Sequence, residues 1–143
     1  LAVAPHAAYI GAVSPTRCAD VTYSSEDTGR IVRETALKPI EQRVLREFKG
    51  RIVAAFPDEI VETRVFGSKA RGDADENSDI DVLIVTRSDD WRTGEAIRKI
   101  GYALDADIDY RLSIQVLPLR HMQYLAENRF KFHEALVREA VAI

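Results

Sequence analysis

Residues 65–85 read VFGSKARGDADENSDIDVLIV, and the fold turns on how this stretch is parsed. Val65-Phe66 ends a short apolar strand, and Gly67-Ser68 supplies a flexible residue and a small hydroxyl at a turn. A basic element with Lys69 and Arg71 follows, and Gly72 lets the chain turn away. After the polar connector 73–78, residues 79–86 form the strongest strand signal in the chain. Its IDVLIV run is apolar on both faces, as expected of a central strand in a sheet covered on both sides. Two carboxylates, Asp79 and Asp81, at the mouth of such a strand are unusual.

Working outward, residues 60–66 alternate as a strand, with Ile60, Glu62, Arg64 and Phe66 on one face and Val61, Thr63 and Val65 on the other. Upstream, apolar residues from Ile31 to Phe56 recur at three- and four-residue steps, the mark of an amphipathic helix. Pro39 divides this run, so the main helix is predicted from Pro39 to Ala55 with proline in its first turn. Its charged residues (Glu41, Arg43, Arg46, Glu47, Lys49, Arg51) are predicted to form a solvated face.

Downstream, residues 91–104 form a second helix with Trp91, Ala96, Ile97, Ile100, Ala103 and Leu104 towards the core, capped by Asp89 or Asp90. Residues 108–117 read as a strand ended by Pro118, and residues 119–143 as helical. The apolar side of that last segment is Met122, Leu125, Phe130, Phe132, Leu136 and Val137. Arg120, Arg129, Lys131 and Arg138 are expected on a solvated face. Residues 1–28 show no sustained periodicity and are expected to be an irregular extension, leaving 29–143 as a single domain. The apolar start, 1–13, lacks a leading positive region and does not read as a secretory signal.

Composition bounds the functional classes. A chain of 143 residues, 46% hydrophobic and 30% charged, matches an ordinary globular domain large enough for its own core. A formal net charge of -3 gives no overall basic field to draw nucleic acid or an anionic membrane. No apolar run reaches the roughly 20 residues needed to span a bilayer. The single cysteine, Cys18, cannot close an intramolecular disulfide, which fits a reducing cytoplasm. His6, His121 and His133 have no metal-ligand spacing.

The chemistry lies in the opening stretch. Residues i and i+2 of a strand share a face, so Asp79 and Asp81 are expected to project together. Such close carboxylates stay ionised only with a cation or strong donors nearby. Mg²⁺ suits them, because it is commonly held by one or two carboxylates together with substrate phosphates. A Gly-Ser turn whose backbone N–H groups can donate to phosphate, set beside the pair, makes a site for a nucleoside triphosphate.

Gly67-Ser68, then Ala70-Arg71-Gly72, then Ser78-Asp79-Ile80-Asp81 ahead of an apolar strand resembles the signature of the polymerase-beta-type nucleotidyltransferase superfamily. The likeness is greatest to its small prokaryotic, minimal nucleotidyltransferase branch and covers roughly residues 51–117. It implies an α/β (α+β) nucleotidyltransferase fold, a small mixed β-sheet backed by helices on one side, with N- and C-terminal helices. It also implies transfer of a nucleoside monophosphate from a nucleoside triphosphate, ATP foremost, to a hydroxyl of a protein or small molecule, using two Mg²⁺ ions. Gly67 and Ser68 would then bind the triphosphate, Asp79 and Asp81 would ligate metal, and Lys69 and Arg71 would favour phosphate electrostatically. Relatives of this kind pair with HEPN-type proteins in toxin–antitoxin systems, so such a partner is expected. The pattern departs from the family at its third carboxylate, expected on the strand 108–117 near Ser113 or Gln115, neither of which is anionic. Asp109 shares a face with Arg111 and Ser113 and would complete the catalytic set only through a longer strand or shifted register. The competing expectation is therefore a nucleotide-binding, antitoxin-like module of the same fold with impaired catalysis.

Overall fold

The computed structural model describes residues 36–105 and 111–143. The expectations for residues 1–28, for Ile31 and Val32, and for the strand start at 108–110 lie outside them, and so does Asp109. Within the described residues the order is α1 (Pro39–Ala55), β1 (Ile60–Phe66), α2 (Gly67–Arg71), β2 (Ile80–Thr86), α3 (Trp91–Asp105), β3 (Leu112–Pro118), α4 (Leu119–Glu127), α5 (Lys131–Glu139) and β4 (Val141–Ala142).

The four strands make one mixed sheet in the order β3-β2-β1-β4. β2 runs antiparallel to β1 and parallel to β3, so α3 serves as the crossover between the parallel pair. β2 is buried along nearly its whole length, as its two-sided apolar run requires. Its alternate residues feed two cores. Ile80, Val82 and Ile84 join Val44, Leu45, Phe48, Ile52 and Ile97 under α1 and α3. Leu83 and Val85 meet Leu136, Met122 and Leu119 of α5 and α4. Successive strand residues point to opposite faces, so helices cover both sides of the sheet rather than one.

Four expectations are corrected. β1 carries a bulge between Ile60 and Glu62, which shifts the register by one. Ile60 therefore packs in the α1–α3 core with Val65, while Phe66 packs in the other. Trp91 is 67% exposed with the Arg92 guanidinium over its ring. It sits six residues before Ile97, well around the helix from the buried stripe Gly94, Ile97, Gly101 and Leu104. The segment 119–143 is not one helix: Asn128 and Arg129, the latter at φ 52, end α4, and residues 141–142 pair with Arg64 and Val65 of β1. Glu41, placed on the solvated face, is fully buried.

Other local signals are met. α1 runs from Pro39 to Ala55 with the proline in its first turn. Asp90 caps α3, its Oδ1 accepting the Arg92 N–H at 3.0 Å. No helix among the described residues is long and apolar enough to cross a membrane. Phe48 is fully buried whereas Val53 of the same helix is 45% exposed. F48A should therefore lower stability by about 3–5 kcal/mol and V53A by no more than about 0.5 kcal/mol, measured by chemical denaturation.

Candidate active site at the start of the central strand

The site is set by how closely two segments approach. Phe66, the last residue of β1, pairs with Asp81 of β2, so the next residue, Gly67, lies against the Asp81 side chain. A Cβ built on Gly67 would come 2.5 Å from Asp81 Oδ2. Gly67 also has φ +72, the left-handed region that disfavours residues with a side chain. Any larger residue there would displace the carboxylate or the turn. Thus α2 starts on top of Asp81, with Ser68 next in the chain.

α2 is a single short turn of helix. No side chain caps its start, and Gly72, at φ 86, ends it by donating its N–H to Ser68 O. The connector that follows is ordered by Asp75 and Ser78. The Ser78 hydroxyl donates to Asp75 Oδ1 at 2.9 Å and accepts the Asp75 N–H at 3.0 Å, while the Asn77 N–H also reaches Asp75 Oδ1. This closed loop delivers Asp79, exposed, to the start of β2, where the Ile80 N–H bonds Arg111 O.

The remaining predicted residues are used differently. Lys69 is buried, and its ammonium donates to Glu41 Oε1 at 2.8 Å rather than facing solvent. Arg71 is half-exposed and bridges Asp73 and Glu139, both at 3.2 Å. Those partners raise its pKa above the usual arginine value, and the Arg138 and Arg71 hydrogen bonds hold Glu139 below the usual carboxylate range. Across the parallel pairing, Asp81 sits beside Ser113 and Leu83 beside Gln115.

Two residues escaped the sequence reading. Glu41 falls four and seven residues before Leu45 and Phe48, on the buried stripe itself, and that spacing was the available signal. Asp105, at the end of α3, accepts the Leu112 N–H at 3.1 Å and so ties α3 to the start of β3. Burial pushes Asp105 up first and the nearby Asp79 charge adds to this, while the Leu112 hydrogen bond and Arg111 oppose it.

Among the described residues no group of three or more His, Cys, Asp or Glu side chains is placed to hold a metal ion. The donor set is instead two carboxylates at one strand mouth, one of them against the start of α2, which no side chain caps. This fits Mg²⁺, a hard cation that takes few protein oxygens and completes its shell with water and phosphate.

Two outcomes follow for stability. G67A should cost about 1–2 kcal/mol from the left-handed backbone alone. G50A, in α1 with nothing within 4 Å of the added Cβ, should instead gain about 0.5–1 kcal/mol; thermal unfolding of both checks the contrast. A carboxyl raised in the fold favours its protonated form, so the stability it confers is lost as pH rises through its folded pKa. D105N keeps an oxygen for the Leu112 N–H. In chelator-containing buffer it should unfold at a higher temperature than wild type at pH 7, the gap closing as pH falls below the ordinary carboxylate range.

Comparison with known proteins places this arrangement. A profile of the nucleotidyltransferase domain matches residues 45–140, well over half of the chain. A stretch of 44 residues, 31% of the chain, is 46% identical to a Methanocaldococcus jannaschii protein provisionally named a protein adenylyltransferase. That stretch spans 44% of the relative, less than half its length. Among solved structures, a provisionally assigned nucleotidyltransferase from Sulfolobus solfataricus superposes with a TM-score of 0.44 at 22% identity, covering 70% of this chain and 76% of the other. A provisionally assigned minimal nucleotidyltransferase gives 0.46 at 26% identity, covering 71% and 94%. A chain of a toxin–antitoxin crystal structure determined with AMP-PNP gives 0.43 at 18% identity, covering 67% and 69%. With the matched residues enclosing β1, α2, β2 and both carboxylates, the chain belongs to the nucleotidyltransferase domain family.

Proposed function

We propose that this domain binds ATP with Mg²⁺ at the α2 turn and the Asp79–Asp81 pair, and transfers the nucleoside monophosphate to a hydroxyl on an acceptor protein. The observation that carries the reading is the close approach of Gly67 to Asp81, which puts a carboxylate beside the start of α2, where no side chain caps the backbone and a helix start can receive phosphate. The short stretch of identity with a protein adenylyltransferase supports a protein acceptor.

In this reading the backbone of Gly67 and Ser68 orients the triphosphate, and Asp79 and Asp81 hold the cation. Bound there, Mg²⁺ supplies positive charge to the phosphate oxygens. The acceptor oxygen forms a bond to the α-phosphorus as the bond from that phosphorus to the β-phosphate oxygen breaks. Pyrophosphate leaves, and the hydroxyl proton passes to a base. The chain contributes chiefly position and charge, which suffices for phosphoryl-type chemistry.

A second reading, nucleotide binding without transfer, is favoured by one observation: Ser113, not a carboxylate, lies beside Asp81. Incubation with α-labelled ATP, Mg²⁺ and candidate acceptors, a HEPN-type partner among them, separates the two. Transfer by wild type should fall by at least roughly 100-fold in D79N/D81N. Transfer that survives loss of both carboxylates sinks the assignment. Binding with no transfer, converted to transfer by S113D, selects the second reading.

A further inference from the structure

Lys69 and Glu41 form an ion pair almost wholly out of water, with side chains 6% and 0% exposed and a 2.8 Å contact. Both Glu41 oxygens are engaged. Oε1 takes the Lys69 ammonium, and Oε2 accepts the Lys38 N–H at 2.7 Å at the start of α1. The carboxylate is therefore held by its own helix and presented in one orientation to α2.

Stability is a weak reason for such a pair. Removing two ions from water costs several kcal/mol each, and apolar residues of similar volume often serve as well or better. What the pair supplies and apolar packing does not is direction. α2 has five residues and no capping side chain, so it has little of its own to fix its orientation. Lys69 follows Ser68 directly, and Gly72 at the far end of α2 packs on Ala36, where an added Cβ would come within 3.2 Å of the Ala36 Cβ. Residues 36–41 thus grip α2 along its inner side, opposite the half-exposed Arg71 links to Asp73 and Glu139. If Lys69 swung out to a phosphate it would leave Glu41 buried and unpaired, which is strongly destabilising.

We propose that Glu41 and Lys69 are a positioning pair, acting through the orientation of α2 to aim the Gly67–Ser68 backbone at the triphosphate. The inference rests on the nucleotide reading above. Neither residue touches the nucleotide, and the Lys69 charge is committed inward.

The test uses the full chain in three forms: wild type, the apolar double variant E41M/K69M, and E41D, which keeps the charge but shortens its reach by one methylene. MgATP affinity by calorimetry is read alongside the thermal unfolding midpoint. The expected result is a double variant with a midpoint at or above wild type that binds MgATP roughly tenfold or more weakly. E41D should unfold at a lower midpoint and, measured well below that midpoint, bind several-fold more weakly, and it decides the matter if the double variant does not fold. A folded double variant, or E41D, with wild-type affinity overturns the positioning role and leaves the nucleotide reading standing. Wild type that binds no MgATP overturns both.

Discussion

The contact between a carboxylate and a backbone atom that carries no Cβ is the constraint on which this domain is arranged. Asp81 is fixed by the ladder of β2, whose apolar residues are gripped from both faces. Gly67 is fixed by the end of β1, the neighbouring strand. Because the two strands are antiparallel, the turn leaving one must pass over the residue entering the other. A glycine with positive φ is what lets it pass at contact distance. The rest of the fold keeps those two strands in register: α1 and α3 on one side, α4 and α5 on the other, and β4 along the outer edge of β1.

Much of this is legible in the sequence alone. β2 announced itself through an unbroken run of β-formers, and α1 through its stripe and its proline. Both depend on local pattern, and local pattern survives folding. The site motif was legible for the same reason, since its parts lie within one strand-turn-strand unit. What escaped depended on distant residues. The bulge in β1 arises from pairing with β2, and no periodicity within seven residues could reveal it. Trp91 is apolar enough for a core, but its angular position on α3 faces it to water. Glu41 read as an ordinary surface charge and Lys69 as a cation facing phosphate, and only the contact between α1 and α2 shows them as a pair. Val141 and Ala142 offered too short a run to be read as a strand.

The same division applies to chemistry. Two carboxylates and a Gly-Ser turn are readable because spacing in a strand fixes which face each occupies. A third acid from another strand is a matter of register between segments about thirty positions apart, and the parallel pairing sets Ser113 against Asp81. The cations of the motif show the limit of reading charge from sequence. Lys69 and Arg71 are two residues apart on one turn, yet one is buried against α1 and the other reaches across the surface to α5.

The pairing of β4 with β1 also bears on how the molecule assembles. Val65, one residue before the Phe66–Asp81 pair, bonds to a strand at 141–142, and Arg71 of α2 reaches Glu139 just before that strand. These contacts join segments far apart in the chain, so the entropy of closing a long loop must be met before they form. Neighbouring β1 and β2 can pair early, whereas the outer edge of β1 is covered only when the C-terminal segment docks. Until then β1 exposes a row of unpaired backbone groups next to the Gly67–Ser68 turn, the kind of edge that invites pairing with another chain. The two-residue strand β4 is short, but it blunts that edge and braces the turn with the same segment.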